Sequence, residues 1–325
     1  MMFDIYGTLG PACADRETLS AMFSHGMTGM RLNLSHITLE NAADTIMIFY
    51  EAARDAHVMP KLLIDMQGPE VRIGDIEEME LLEGDSVSLG GDIPVPDYVI
   101  AGLREHDEVL LDDGKILLEA QSISEGSARM RVVRGGLLSS KKSLAVVGRD
   151  IPSPTLTATD IENLKNAMRF GVTGVMQPFV RDRHDLEVLR QTMEECGCGD
   201  LEIFAKIENM RGVEHLREFF DIADHIVIAR GDLGNAMPLW ELPGVQKHIS
   251  RVCREAGVPF MVVTQMLESM THCAVPTRAE VSDIYNAVLD GAGSIMVTGE
   301  TAVGKYPVEV IKYLTNTARE ALNNR

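Results

Sequence analysis

The sequence predicts an α/β chain: a (β/α)8 barrel with a small all-β domain inserted after the third strand. Three observations carry this. Eight short β-type runs recur, and helical patterns stand between most of them, the signature of parallel βαβ units. No GxGxxG follows the first run, which argues against an open dinucleotide-binding sheet. Between about Gly74 and Ser143 the pattern changes to brief alternating runs broken by Gly84-Asp85, Gly90-Gly91, Asp112-Asp113-Gly114 and Gly135-Gly136, which is all-β punctuation.

The first β-type run is Phe3 to Leu9, followed by a Gly10-Pro11 turn and a helix near Arg16 to His25. The second is Met30 to Leu34, with a helix from about Leu39 to His57, and the third is Lys61 to Met66. After the interruption come Val175 to Val180, Glu202 to Glu208, His225 to Leu233, Pro259 to Leu267 and Ser294 to Glu300. Helical stretches at Asp160 to Arg169, Arg183 to Glu195, Val213 to Phe219 and Leu242 to Ala256 fall between them. The expected barrel is therefore 1–73 with 144–325, and the inserted domain, placed to act as a lid, is 74–143.

The 325 residues are 45% hydrophobic, enough for a large core and a smaller one. A formal net charge of −19 with no basic stripe argues against nucleic acid or an anionic membrane as partner. An acidic chain that takes anionic substrates needs metal ions and local cations to do so. Cys13, Cys196, Cys198, Cys253 and Cys273 are scattered and lack zinc-site spacing, so reduced thiols and a cytoplasmic location are expected. No signal peptide is apparent, and no apolar stretch reaches membrane-spanning length.

The strand ends hold the chemistry. In Glu202 to Glu208, alternation puts Lys206 and Glu208 on one face and Ile207 on the other. A carboxylate there can ligate a hard divalent cation, and an ammonium can neutralise a phosphoryl group in flight. A structural ion pair is the other reading. The second run sets Arg31, Asn33 and Ser35 on one face, with His36 beyond it in a loop. The third ends at Asp65, ahead of Arg72, which can simply pair with Glu70. The sixth ends in Arg230-Gly231-Asp232, where Asp232 can meet Glu208 across neighbouring strands or merely cap a helix, and the Gly231 turn can offer amides to an anion. The seventh carries Thr264. Two carboxylates, two cations and a hydroxyl at the ends of one barrel resist a purely structural explanation.

Several runs resemble the pyruvate kinase family: TLGPA (Thr8 to Ala12), MRLNLSH (Met30 to His36), DMQGPEVR (Asp65 to Arg72), AKIEN (Ala205 to Asn209), ARGDLG (Ala229 to Gly234), VTQMLESM (Val263 to Met270), PTRAEVSD (Pro276 to Asp283), NAVLDGA (Asn286 to Ala292) and GETAVGKYP (Gly299 to Pro307). LLDDGKI (Leu110 to Ile116) is similar to its inserted domain, and the likeness spans about Tyr6 to Thr317. The resemblance implies phosphate transfer from phosphoenolpyruvate to ADP, giving pyruvate and ATP. It implies Glu208 and Asp232 as ligands of Mg²⁺ or Mn²⁺, Lys206 and Arg31 on the transferring phosphate, and Thr264 near the proton delivered to the enolate carbon. The amides of Gly231 and Asp232 would hold the substrate carboxylate. Asn33, Ser35, Asp65 and the carbonyl of Met66 would hold K⁺, while Arg72, His36 and Pro11 would face the nucleotide. Glu70, where K⁺-independent members are expected to carry Lys, implies K⁺ dependence.

Departures from the family pattern stand beside this. Met66-Gln67 replaces the usual Thr-Lys, Pro178-Phe179 replaces Ser-Phe, and the lid's Lys-rich segment appears only as Lys141-Lys142-Ser143. The chain ends at Arg325 without the family's C-terminal domain, so the usual sugar-phosphate regulation is not expected, and a homodimer through barrel helices is. The weak lid motifs keep a second reading open: a metal-dependent lyase or aldolase acting on the pyruvate enolate, or an enzyme using another phosphoenol acid or acceptor.

Overall fold

The computed structural model describes residues 3–35, 37–112, 114–147 and 153–324. The chain divides into two compact units, Met1–Gly68 with Thr155–Arg325, and Pro69–Pro154. In the first, β1 (Asp4–Thr8), β2 (Gly29–Asn33), β3 (Lys61–Asp65), β4 (Gly174–Gln177), β5 (Glu202–Ile207), β6 (His225–Ala229), β7 (Phe260–Val263) and β8 (Ser294–Met296) form a closed barrel. Its order is β1-β8-β7-β6-β5-β4-β3-β2, with every neighbouring pair parallel.

Period-two alternation splits the strand side chains between two cores. Tyr6, Leu63, Met176, Phe204, Val227, Met261, Val263 and Met296 pack together inside the barrel. The other face, including Ile5, Ile64, Ile203, Ile226, Val262 and Ile295, packs against the helices through Leu19, Phe49, Leu189, Ile249 and Val288. The interior is filled with apolar side chains, and the charged cluster stands above it, at the carboxyl ends of the strands.

Several helices start where short polar side chains satisfy their first amides. Asp15 accepts from the Thr18 amide ahead of α1 (Arg16–Ser24). A later helix, α2 (Ala43–Asp55), lacks such a cap. Thr157 and Asp160 form a capping box on α3 (Ala158–Ala167), and Asp182 caps α4 (Arg183–Glu195). Asn209 caps the short α5 (Met210–Glu214). Then come α6 (Arg230–Asn235), α7 (Leu242–Ala256) and α8 (Arg278–Leu289), the last with a Thr277–Glu280 capping box. Among the described residues no helix is long and apolar enough to cross a membrane.

The second unit has its own core, with Leu89, Val109, Leu118, Met130 and Val132 at its centre. Five antiparallel strands run in the order Leu144–Val146, Glu108–Leu111, Ile116–Ser124, Ser127–Arg134, Ser86–Leu89. A second pair joins Met79–Leu81 to Gly136–Leu138.

Two boundaries differ from the expectation. The second unit is wider than 74–143, because Val71 and Ile73 join its core and Arg72 bridges to Ser143. The sixth strand ends at Ala229 rather than Leu233, because Arg230 opens α6.

Gly29 shows how tightly the barrel is filled. A β-carbon there would stand 2.4 Å from the Lys61 carbonyl oxygen and 2.7 Å from the Tyr6 ring. Gly29→Ala is expected to destabilise the barrel by roughly 1–3 kcal/mol through overpacking, read as a lower thermal midpoint; an unchanged midpoint would contradict this packing.

Candidate active site

The inward face of β5 carries Phe204 and then Lys206, and Glu208 follows just past the strand end. The pairing register brings Asp65 of β3 opposite Asn33 of β2, and Arg31 opposite Thr8 of β1. Alternation therefore converges Arg31, Asp65 and Lys206 at one level above the apolar interior.

These groups form one connected set. Lys206 Nζ lies 3.1 Å from Asp65 Oδ2 and 3.0 Å from Glu208 Oε1. Arg31 donates from Nε and Nη2 to Asp65 Oδ2, at 2.8 and 2.6 Å. Arg31 Nη1 reaches Thr8 Oγ1 at 3.5 Å. The Phe179 amide donates to Glu208 Oε2 at 2.8 Å, from a residue held at φ +50°.

Burial sets the electrostatics. Asp65 and Glu208 are only 1% and 3% exposed. Burial disfavours the Asp65 carboxylate, but Lys206 and Arg31 overcome this and hold its pKa below the ordinary value. Burial likewise disfavours the Lys206 ammonium, yet Asp65 and Glu208 raise its pKa above the usual lysine range. For Glu208, burial comes first, Lys206 opposes it, and the charges on Asp232 and Asp65 add to it; its pKa is pushed up to about 7.

That outcome is a test of fit for a divalent cation. The carboxylates of Asp65 and Asp232 add to burial in raising the Glu208 pKa, and Lys206 only partly opposes them, so further positive charge beside Glu208 would be favourable there. Among the described residues no group of three or more His, Cys, Asp or Glu side chains could hold a metal. Two carboxylates leave most of a coordination shell to substrate oxygens and water, which is how Mg²⁺ is ordinarily held. The residues fit a Mg²⁺ that needs its substrate. For K⁺, Asn33 pairs in register with Asp65, and Asn33 Oδ1 accepts from the Ser35 amide at 3.2 Å. These oxygens suit a hard cation, although Asp65 already serves Arg31 and Lys206.

At the sixth strand, Gly231 and Asp232 fall in the first turn of α6. A β-carbon on Gly231 would lie 3.1 Å from Thr264 Cγ2, so this turn and Thr264 are in contact. Thr264 is not in a strand: it follows β7 at φ +80°, with Gln265 at φ +53°.

The structure thus joins Arg31, Asp65, Lys206 and Glu208 by direct bonds, Glu208 to Asp232 by charge, and Gly231 to Thr264 by contact. Met66 follows β3, its amide donating to Met176 O at 3.1 Å. Pro11 is exposed in the β1 loop, which is tied to Ala302 through the Ala12 amide. Arg72 belongs to the second unit, where it pairs with Glu70 at 2.7 Å. His36 lies outside the described residues.

Sequence reading missed some supports. Asp160, fully buried, accepts from the Gln67 and Gly68 amides at 2.8 and 3.0 Å and so fixes the loop after Asp65. Its Thr157-x-x-Asp160 capping pattern was a readable signal. Thr8, donating to Val297 O at 3.0 Å, and the Phe179 amide had no signal, since strand register and backbone geometry create them.

The family model "Pyruvate kinase, barrel domain" matches residues 2–311. Pyruvate kinase of Chlamydia trachomatis is 36% identical over 324 residues, covering 96% of this chain and 67% of that protein. The enzymes of Methylorubrum extorquens and Aeropyrum pernix are also 36% identical, over 97% and 98% of this chain and 68% and 70% of their own lengths. The chain spans about two thirds of the length of these relatives. With the closed barrel and the charged cluster at its strand ends, these matches place the chain in the pyruvate kinase family.

Proposed function

We propose that this chain is a phosphotransferase that moves phosphate from phosphoenolpyruvate to ADP, with the Lys206–Glu208–Asp65 cluster at the centre of the reaction. The family membership favours this over the lyase or aldolase reading. The observation that carries the site is the buried ammonium of Lys206 bridging two carboxylates above a closed apolar barrel.

Phosphoryl transfer needs placed positive charge more than covalent chemistry. Lys206, kept charged by Asp65 and Glu208, offers donors to the transferring phosphate and then to the enolate oxygen. Arg31, oriented by its two bonds to Asp65, adds a second cation on the phosphate side. The amides of Gly231 and Asp232, in the first turn of α6, suit the substrate carboxylate. Thr264, in contact with that turn, is suited to stand beside the enolate carbon and relay a proton to it from water, its own hydroxyl being reprotonated in the same step. Glu208 and Asp232 would hold Mg²⁺ or Mn²⁺, which when bound supplies charge to phosphate and enolate oxygens alike. Asn33, Ser35, Asp65 and the Met66 carbonyl are the proposed K⁺ ligands, supported by the Asn33–Asp65 register. The roles of Arg72, His36 and Pro11 toward the nucleotide rest on the resemblance alone, as do assembly as a homodimer and a cytoplasmic location.

Lys206→Ala is expected to lower turnover by roughly 10³-fold or more while substrate affinity changes little; near-normal turnover would remove Lys206 from the mechanism. Protonated Glu208 cannot ligate a cation, so Mg²⁺ affinity should weaken as pH falls below about 7. Isothermal titration at several pH values reads this, and a pH-independent affinity would contradict the assignment. Activity without any monovalent cation equal to that in K⁺ would refute the K⁺ site.

A further inference from the structure

Arg230 precedes Gly231 and Asp232, yet its side chain turns away from them toward the end of β7. Nη2 donates to Thr264 O at 2.7 Å and Nε to the same oxygen at 3.1 Å. Nη2 also reaches Gln265 O at 3.3 Å and Met266 Sδ at 3.0 Å. Nη1 is anchored on Asp283 Oδ2 of α8 at 2.6 Å and lies 3.4 Å from Gln246 Oε1 of α7.

The backbone gripped in this way is strained. Thr264 and Gln265 are consecutive non-glycine residues at φ +80° and +53°. A β-branched residue there is a genuine outlier, and such conformations persist only where surrounding structure over-determines them. Arg230 ties the two carbonyls. Beyond them the Leu267 amide donates to Glu300 Oε1 at 3.2 Å, and the fully buried Glu300 is itself fixed by the Thr298 amide at 2.7 Å. Released from these ties, Thr264 would relax toward extended backbone, and its side chain would leave Gly231.

We propose that Arg230 is a positioning residue: by holding the Thr264 carbonyl it sets the Thr264 hydroxyl against the turn that carries Gly231 and Asp232. Proton delivery to the enolate carbon then depends on Arg230, whose side chain bonds Thr264, Gln265, Met266, Gln246 and Asp283. The inference rests on the role given to Thr264 above, and extends it. The planar guanidinium suits the task because two of its nitrogens converge on one carbonyl while a third stays on Asp283. A lysine keeps the charge but loses the fork.

The test follows exchange of pyruvate C3 protons with solvent by NMR, with Mg²⁺ and ATP present, beside steady-state kinetics on phosphoenolpyruvate. Arg230→Lys is expected to slow exchange by about 100-fold, the scale of an ångström-level misplacement. KM for phosphoenolpyruvate should stay within about threefold, since binding is not what is lost. In Thr264→Gly, where φ +80° is unstrained and the hydroxyl is gone, adding Arg230→Lys should slow exchange by no more than about twofold. Adding Gln265→Gly to Arg230→Lys, which relieves part of the strain, should recover about tenfold of the loss. Full multiplication of the two losses in the double variant, or unchanged exchange in Arg230→Lys, overturns the positioning role and leaves Thr264 in the mechanism. Unchanged exchange in Thr264→Gly alone overturns the Thr264 reading and this inference with it. A purely structural role would lower the thermal midpoint without the non-additivity or the rescue. Arg230→Gln, with one donor left, is read in the same way should the lysine variant fail to fold.

Discussion

The site depends on keeping an ammonium charged inside a barrel. Lys206 stands directly above Phe204 on the inward face of β5, with apolar side chains beneath it. Burial alone would lower its pKa. Asp65 prevents this, and Arg31 in turn keeps Asp65 ionised, so each charge is tolerable only in the presence of the next. Removing a member leaves its partners with less compensation for their burial, which costs stability. The same interdependence leaves Glu208 short of positive charge and so receptive to a cation.

Much of this was legible in the sequence because a parallel barrel obeys simple periodicities. Eight β-type runs and the absence of a dinucleotide fingerprint were enough for the closed barrel, and alternation alone placed Lys206 and Glu208 on one face. Oxygen-rich and charged strand ends mark Arg31, Asp65 and Asp232 in the sequence itself. Less legible was what backbone conformation decides. Nothing in Ala229-Arg230-Gly231-Asp232 says that the strand stops at Ala229 and a helix begins, since both states accept those residues. Nothing in Val263-Thr264-Gln265 announces left-handed backbone, because Thr and Gln are poor candidates for it. The bond that grips this backbone comes from Arg230, 34 positions away from Thr264. The edges of the second unit differ from 74–143 for a similar reason, since Val71 and Ile73, counted with the barrel, join a core built mostly downstream.

Neighbouring supports illustrate how a loop site is made rigid without being buried in apolar side chains. Asp160 receives the Gln67 and Gly68 amides and Glu300 receives those of Leu267 and Thr298, while the Phe179 amide is received by Glu208. In each case a carboxylate collects backbone N–H groups that the strand no longer pairs. Charge-assisted bonds of this kind are about twice as strong as neutral ones. They fix the chain that follows the carboxyl ends of β3, β4, β7 and β8.

The second unit also bears on how the chain assembles. Its entering and leaving segments are hydrogen-bonded to each other: the Leu144 amide donates to Val71 O at 2.8 Å, and the Ile73 amide to Lys142 O at 2.9 Å. Once that unit has folded on its own core, the chain between β3 and β4 behaves as a loop about one third as long as its residue count suggests, which lowers the closure entropy by roughly 1 kcal/mol. An excursion that looks like an obstacle to pairing β3 with β4 therefore acts as a staple for it. Nucleation of the small core ahead of the large one is the order of events that this connectivity favours.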